Sequence, residues 1–162
     1  MLKRTLLLIL LATATLFAIG CDDSTSEGMA IFGVSDINGN DPVVATAAGT
    51  TVDMTFRWRP YFDTDAAIVE AAPHGDYVVD SYRVTWTAVT TGATAPSPRE
   101  TATQIFVPVY DLVTAGIIVA TAAEAGTVGT GNVMNANIEF TAHEMGSDKE
   151  ATFSTKFAVT FN

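Results

Sequence analysis

Residues 51–59, TVDMTFRWR, place Val52, Met54, Phe56 and Trp58 on one side of an extended chain and Asp53, Thr55, Arg57 and Arg59 on the other. Side chains alternate across a strand with a period of two, so this segment buries one face and wets the other. The same alternation recurs three times. SYRVTWTAV (81–89) turns Tyr82, Val84, Trp86 and Ala88 inward, and VMNANIEFTA (133–142) turns Met134, Ala136, Ile138, Phe140 and Ala142 inward. TFSTKFAVTF (152–161) does so with Phe153, Thr155, Phe157, Val159 and Phe161.

Weaker strands are expected over 29–35, 77–80, 103–110 and 116–121. Pro108 lacks the N–H that a central strand needs, so 103–110 reads as an edge strand or a broken one. LVTAGIIVATAA (112–123) is too short to cross a bilayer, and its Thr and β-branched residues suit a buried strand better than a helix. MGSDKE (145–150) suits a hairpin loop. TTGATAPSPRET (90–101) is a Thr-, Pro- and Gly-rich loop. No long helical pattern follows the first twenty residues. About seven or eight short antiparallel strands separated by turn clusters imply an all-β chain, two packed sheets in Greek-key order forming an immunoglobulin-like β-sandwich. With no disulfide available, Phe56, Trp58, Tyr82, Trp86, Phe140, Phe157 and Phe161 must supply its core. MTFRWRP (54–60) followed by DSYRVTW (80–86) resembles the second and third strands of fibronectin type III domains. That resemblance implies a domain that holds, spaces or binds.

The first residues decide a location. Lys3 and Arg4, an apolar run from Leu6 to Ile19, and a small Gly20 have the three parts of a secretory signal peptide. The stretch ATLFAIGCDDSTSEG (14–28) then carries Cys21, the one cysteine of the chain. A lone thiol in an oxidising compartment has no partner and is a liability. FAIGC (17–21) resembles the lipobox of bacterial lipoproteins. The resemblance implies cleavage before Cys21, diacylglycerol on its sulfur and an acylated amine. It also implies a protein held in the cell envelope, its domain facing the periplasm or the cell exterior. In some enteric bacteria an Asp directly after the lipidated Cys, as Asp22 is here, retains such proteins in the inner membrane; the leaflet is left open. Two or three acyl chains anchor firmly where one would not. Residues 22–28, DDSTSEG, read as a short polar tether. The expected organisation is a signal peptide over 1–20, lipidated Cys and tether over 21–28, and the sandwich over 29–162.

Beyond residue 20 the chain carries 6 basic and 18 acidic residues, a formal charge of −12. Such a surface repels phosphate backbones, so nucleic acid is not an expected partner. Anionic headgroups are equally unattractive to it, which leaves the anchoring to the lipid.

Catalytic raw material is sparse. No G-x-S-x-G elbow, phosphate-cradling glycine loop or H-E-x-x-H is present. His143 reads as an exposed histidine near a strand end, and His74 as a turn residue. Two acidic clusters invite a calcium test. In SDINGNDP (35–42), Asp36, Asn38, Asn40 and Asp41 follow the opening spacing of an EF-hand loop. Its sixth and twelfth places hold Asp41 and Ala47 in place of Gly and Glu, so a polar turn is the better account. In PYFDTDAAIVEAAPHGDY (60–77), Asp63, Asp65, Glu70, His74 and Asp76 gather on a connection longer than a sandwich turn needs, beside Tyr61 and Phe62.

The residues therefore imply a non-enzymatic lipoprotein, anchored to a membrane by its lipid and meeting an envelope protein partner. A small-ligand, glycan or cation-binding role for the 60–77 loop is the alternative. No metal or cofactor is expected beyond the lipid on Cys21.

Overall fold

A computed structural model describes residues 30–60 and 75–162. Residues 1–29, over which a signal peptide, a lipidated Cys21 and a tether are expected, lie outside them, as do residues 61–74. The alternating segments become strands of the expected parity. In chain order these are β1 (Ala30–Ile37), a 3-10 turn (Asn38–Asn40), β2 (Val43–Ala45), β3 (Gly49–Pro60) and β4 (Tyr77–Ala88). Then follow β5 (Arg99–Val107), β6 (Leu112–Thr121), a short helix α1 (Ala122–Val128), β7 (Val133–Glu144) and β8 (Glu150–Phe161). The described residues are mostly β-strand, consistent with an all-β fold, in two sheets, one ordered β1-β3-β6 and the other β2-β8-β7-β4-β5. Every pairing is antiparallel except β2 with β8. No helix among the described residues is long and apolar enough to cross a membrane.

The core lies between the sheets. Val52, Met54, Phe56 and Trp58 of β3 face Met134, Ala136, Ile138 and Phe140 of β7, all buried. Phe56 and Phe140 meet edge to face across the gap, ring centroids 5.2 Å apart. Such a contact adds about 0.5–1.5 kcal/mol to the stabilisation already gained by burying the rings. Phe32 of β1 closes one flank, standing edge-on against Phe153 of β8 at 4.4 Å.

Several strands depart from the expected pattern for local reasons. Segments 77–80 and 81–89 form one strand, because a β-bulge at Asp80 shifts the register against both neighbours. The bulge switches the inward set from Tyr77 and Val79 to Tyr82, Val84 and Trp86. Ala88 is exposed; it is the last residue of β4 and stands outside the apolar cluster. In β8, Phe153, Thr155 and Phe157 are only half-buried, whereas Val159 and Phe161 are buried. The cause is that β2 pairs with β8 only from Val159 to Phe161, leaving the earlier part on the rim. β5 runs over 99–107 and ends just before Pro108, at the edge of its sheet.

Helix α1 was not expected. Thr121 caps it, accepting from the Glu124 N–H at 3.3 Å, while the Glu124 carboxylate takes the Thr121 N–H at 2.7 Å. This reciprocal box satisfies donors that a helix start leaves orphaned. Glu124 is also gripped by Arg99, which reaches inward from β5 at 3.3 Å. Arg99 donates further to the carbonyls of Ile118 (2.8 Å) and Val119 (3.1 Å) on β6. Tyr82 from β4 donates to the same Ile118 carbonyl at 3.3 Å. Together these bonds clasp the two sheets where β5 and β6 form their facing edges.

Candidate functional site

Strand directions gather three connections at one end of the sandwich: the segment between Pro60 and Gly75, the β5–β6 turn, and the β7–β8 hairpin. Asp63, Asp65, Glu70 and His74 lie outside the described residues, as do Tyr61 and Phe62. Asp76 is described, and with Gly75 it forms the downstream stem of that connection.

The stem is built from buried polar groups. Trp58, at the far end of β3, donates its indole N–H to the Gly75 carbonyl at 3.1 Å. The Gly75 N–H donates to Glu144 Oε1 at 2.7 Å. Glu144 is 5 % exposed, one of two buried charged residues among those described. Its second oxygen accepts from Ser147 Oγ at 2.7 Å and lies 3.7 Å from Lys149 Nζ. A buried carboxylate needs such donors, because an unpaired one costs several kcal/mol, roughly, in a low-dielectric interior. Gly75 has no room for more: a Cβ there would sit 2.8 Å from the Met145 carbonyl and 2.9 Å from Glu144 Cγ.

Asp76 ties the other two turns to the stem. Its carboxylate accepts from the Val109 N–H at 3.0 Å, and its carbonyl accepts from the Met145 N–H at 2.7 Å. Tyr110, with φ of 66°, donates its N–H to the Trp58 carbonyl at 2.9 Å. Tyr77 packs on Trp58 at 4.8 Å and on Phe32 at 5.3 Å. Burial pushes its phenol pKa above the usual 10.0, and the negative charge of Glu144 pushes it the same way. The Gly75–Asp76 stem, the β5–β6 turn and the β7–β8 hairpin are thus fastened together.

The other acidic cluster is a turn. Asp36 spends both carboxylate oxygens on it, accepting from the Gly39 N–H at 2.9 Å and Asn40 Nδ2 at 3.0 Å. Asn38 donates to the Asp41 carbonyl at 3.3 Å. Asn38, Gly39 and Asn40 all have positive φ, which Asn and Gly tolerate best. Asp41 is exposed beside them. Asp36 and Asp76 therefore stand in separate hydrogen-bonded turns. No group of three or more His, Cys, Asp or Glu among the described residues could hold a metal ion.

His143 sits on the outer face of the larger sheet, with Nδ1 2.7 Å from Asp80 Oδ2. Both side chains are nearly half exposed. A shallow depression of about 350 Å³ lies toward the other end, lined by small and hydroxyl-bearing residues such as Gly49, Thr51 and Ala120. It includes none of the acidic or histidine candidates.

Sequence reasoning missed Glu144 and Arg99. A signal existed for both. Each occupies the inward parity of its strand, Glu144 after Ala142 and Arg99 before Thr101, where a charge demands a built partner. No family model matches the chain, and no curated protein matches it in sequence.

Proposed function

We propose that the chain is a membrane-anchored bacterial lipoprotein whose immunoglobulin-like sandwich serves as a non-catalytic structural or protein-interaction module of the cell envelope. The observation that carries this reading is FAIGC, a lone cysteine closing a signal-like segment, directly before a short polar tether and a folded domain. The strand order supports the fold. With β1, β3 and β6 as strands A, B and E, the second sheet reads G-F-C with β5 in the position of C′. Immunoglobulin domains join strands B and F by a disulfide. Here Phe56 of β3 and Phe140 of β7 join the same two strands.

The module reading is supported by where the carboxylates are spent. Asp36, Asp76, Glu124 and Glu144 all fix turns, stems or a helix start. They are committed to geometry rather than presented to a substrate. Function on such a scaffold belongs to grafted surfaces, and the end where the Gly75–Asp76 stem and two turns are fastened together is the place for one.

Two experiments test the reading. Intact mass of the protein made in a native-like bacterial host should give an N-terminus at Cys21 carrying diacylglycerol and an acyl chain, and Cys21→Ser should release the domain from the membrane fraction. An unmodified thiol, or residues 1–20 retained, overturns the anchor. Crosslinking in native membranes followed by pull-down should recover a specific envelope protein. Recovery of nothing, with a small ligand or glycan co-purifying, favours the alternative in which the 60–77 loop binds it; the rigid stem at Gly75 is what supports that alternative.

A further inference from the structure

The described turns at the two ends of the domain differ in chemistry. At the end where β3 finishes and β4 begins, these are VPVYDL (107–112) and EMGSDK (144–149), beside the connection between Pro60 and Gly75, which lies outside the described residues. They expose Tyr110 (58 %), Leu112 (59 %) and Met145 (51 %). At the opposite end the corresponding turns are TAAG (46–49), VTTGATAPSP (89–98) and GTGN (129–132). Among them Val89 is the one exposed large apolar residue; the rest are Thr, Ala, Gly, Ser, Pro and Asn. The apolar tips are also held in place, since the Tyr110 N–H donates to the Trp58 carbonyl and the Met145 N–H to the Asp76 carbonyl.

β1 starts at the apolar end, with Ala30 opposite Pro60. Nine residue steps separate Cys21 from Ala30, a reach of at most about 32 Å even if fully extended. The twelve residues of β3 span about 40 Å. A lipid on Cys21 therefore holds the Tyr110–Met145 end near the bilayer and cannot draw the Thr- and Gly-rich end to it past the length of the domain.

We infer that the Tyr110, Leu112 and Met145 tips form a membrane-facing foot, which rests on the bilayer surface and stands the domain upright on its own anchor. This rests on the lipid-anchored reading above. The occupant it fits is a lipid interface. Tyr has the amphipathic ring favoured at that depth, and Leu112 and Met145 offer apolar side chains without charge. Asp111, between them, turns its carboxylate onto the Leu112 N–H at 2.8 Å. The acidic domain gains nothing from anionic headgroups, so the tether supplies the proximity and the tips set the orientation.

Because Cys21 is the one cysteine and is consumed by lipid, Met145→Cys and Thr130→Cys in the full lipidated chain each create one labelling site, at opposite ends. Both are labelled with an environment-sensitive fluorophore and the protein is reconstituted in phosphatidylcholine vesicles containing a nitroxide lipid. The label at 145 should shift to the blue and be quenched several-fold more than the label at 130. Leu112→Cys gives a second position at the foot. Tyr110→Asn, which keeps the positive-φ backbone, combined with Leu112→Ser should abolish the difference without altering thermal unfolding. Equal quenching at 145 and 130 in a chain whose mass confirms lipidation overturns the foot alone. A mass with an unmodified thiol at Cys21 overturns both the foot and the anchor. Shielding of position 145 in native membranes but not in protein-free vesicles assigns this end to a protein partner and overturns the lipid interface.

Discussion

Gly75 and Glu144 share a space in which neither has slack. The glycine N–H feeds the carboxylate, the glycine carbonyl receives the Trp58 indole, and a methyl group at 75 would strike the Met145 carbonyl. Gly75→Ala should therefore cost about 1–3 kcal/mol, the usual range for overpacking, read as a lower denaturation midpoint with an unchanged m-value. Substituting an exposed glycine with open space around it, Gly126, should cost nothing comparable; alanine there even suits the helix. Tyr77 supplies a pH test of the same neighbourhood. Its pKa is raised in the folded state, so the native protein holds that proton more tightly than the unfolded chain does. The contribution is complete below the ordinary value of 10.0 and is lost as pH climbs through the raised folded value. Melting temperature should fall above pH 10, and Tyr77→Phe should flatten that fall, since phenylalanine has no proton to lose from beside Glu144. An identical alkaline slope in both proteins would place the sensitivity elsewhere.

At the scale of elements, β8 is the strand on which the larger sheet depends. It pairs with β7 from Glu150 to Thr160, seats β2 in parallel at Val159–Phe161, and brings Phe153 against Phe32, Phe56 and Phe140. Deleting residues 153–162 removes the buried side chains of Val159 and Phe161 and exposes the edge of β7 from Val133 to Phe140. The truncated protein should lose its cooperative thermal transition; a soluble truncation that still melts cooperatively would mean that β8 is dispensable. β8 was legible in the sequence for the same reason as β3 and β7: one inward residue at every second position leaves little else to read. Other boundaries were hidden. The bulge at Asp80 reverses the parity inside YVVDSYRVTWTA, so a single twelve-residue strand looks like two short ones. The change from β6 to α1 falls inside IIVATAAEAG, where apolar and small residues continue without a break in pattern. The sequence cue was Thr121-x-x-Glu124, a capping box within a run that hydropathy alone reads as strand. Which strands share a sheet has no local signature, because it depends on pairings between segments distant in sequence, such as β3 with β6 and β4 with β7. The candidate site was legible only as a long acidic connection. Its stem depends on Trp58 and Glu144, which are distant in sequence and meet only after folding.

For the whole molecule, charge is the property that the two functional readings use differently. If the acidic residues form a diffuse field around an interaction module, they repel one another in the compact state and any salt relieves that repulsion. If they build a cation site, calcium must do more than its ionic strength explains. The described carboxylates favour the first, since Asp36 accepts hydrogen bonds from its own turn and Asp76 from the Val109 N–H, and a bound cation would have to displace or outcompete those donors. The comparison that separates the readings is thermal melting at matched ionic strength, with about 5 mM calcium chloride set against sodium chloride. A calcium site with a dissociation constant of about 0.1 mM would add about 2.3 kcal/mol at that concentration, a rise of several degrees, roughly, for a domain of this size. The expected outcome is a modest rise in Tm with sodium chloride and the same rise, no larger, with calcium. An excess of several degrees for calcium alone would transfer the function to a cation site. If Asp63→Asn or Glu70→Gln then removed that excess while Asp36→Asn did not, the site would belong to the 60–77 connection, held over the rigid stem that Trp58, Gly75 and Glu144 provide.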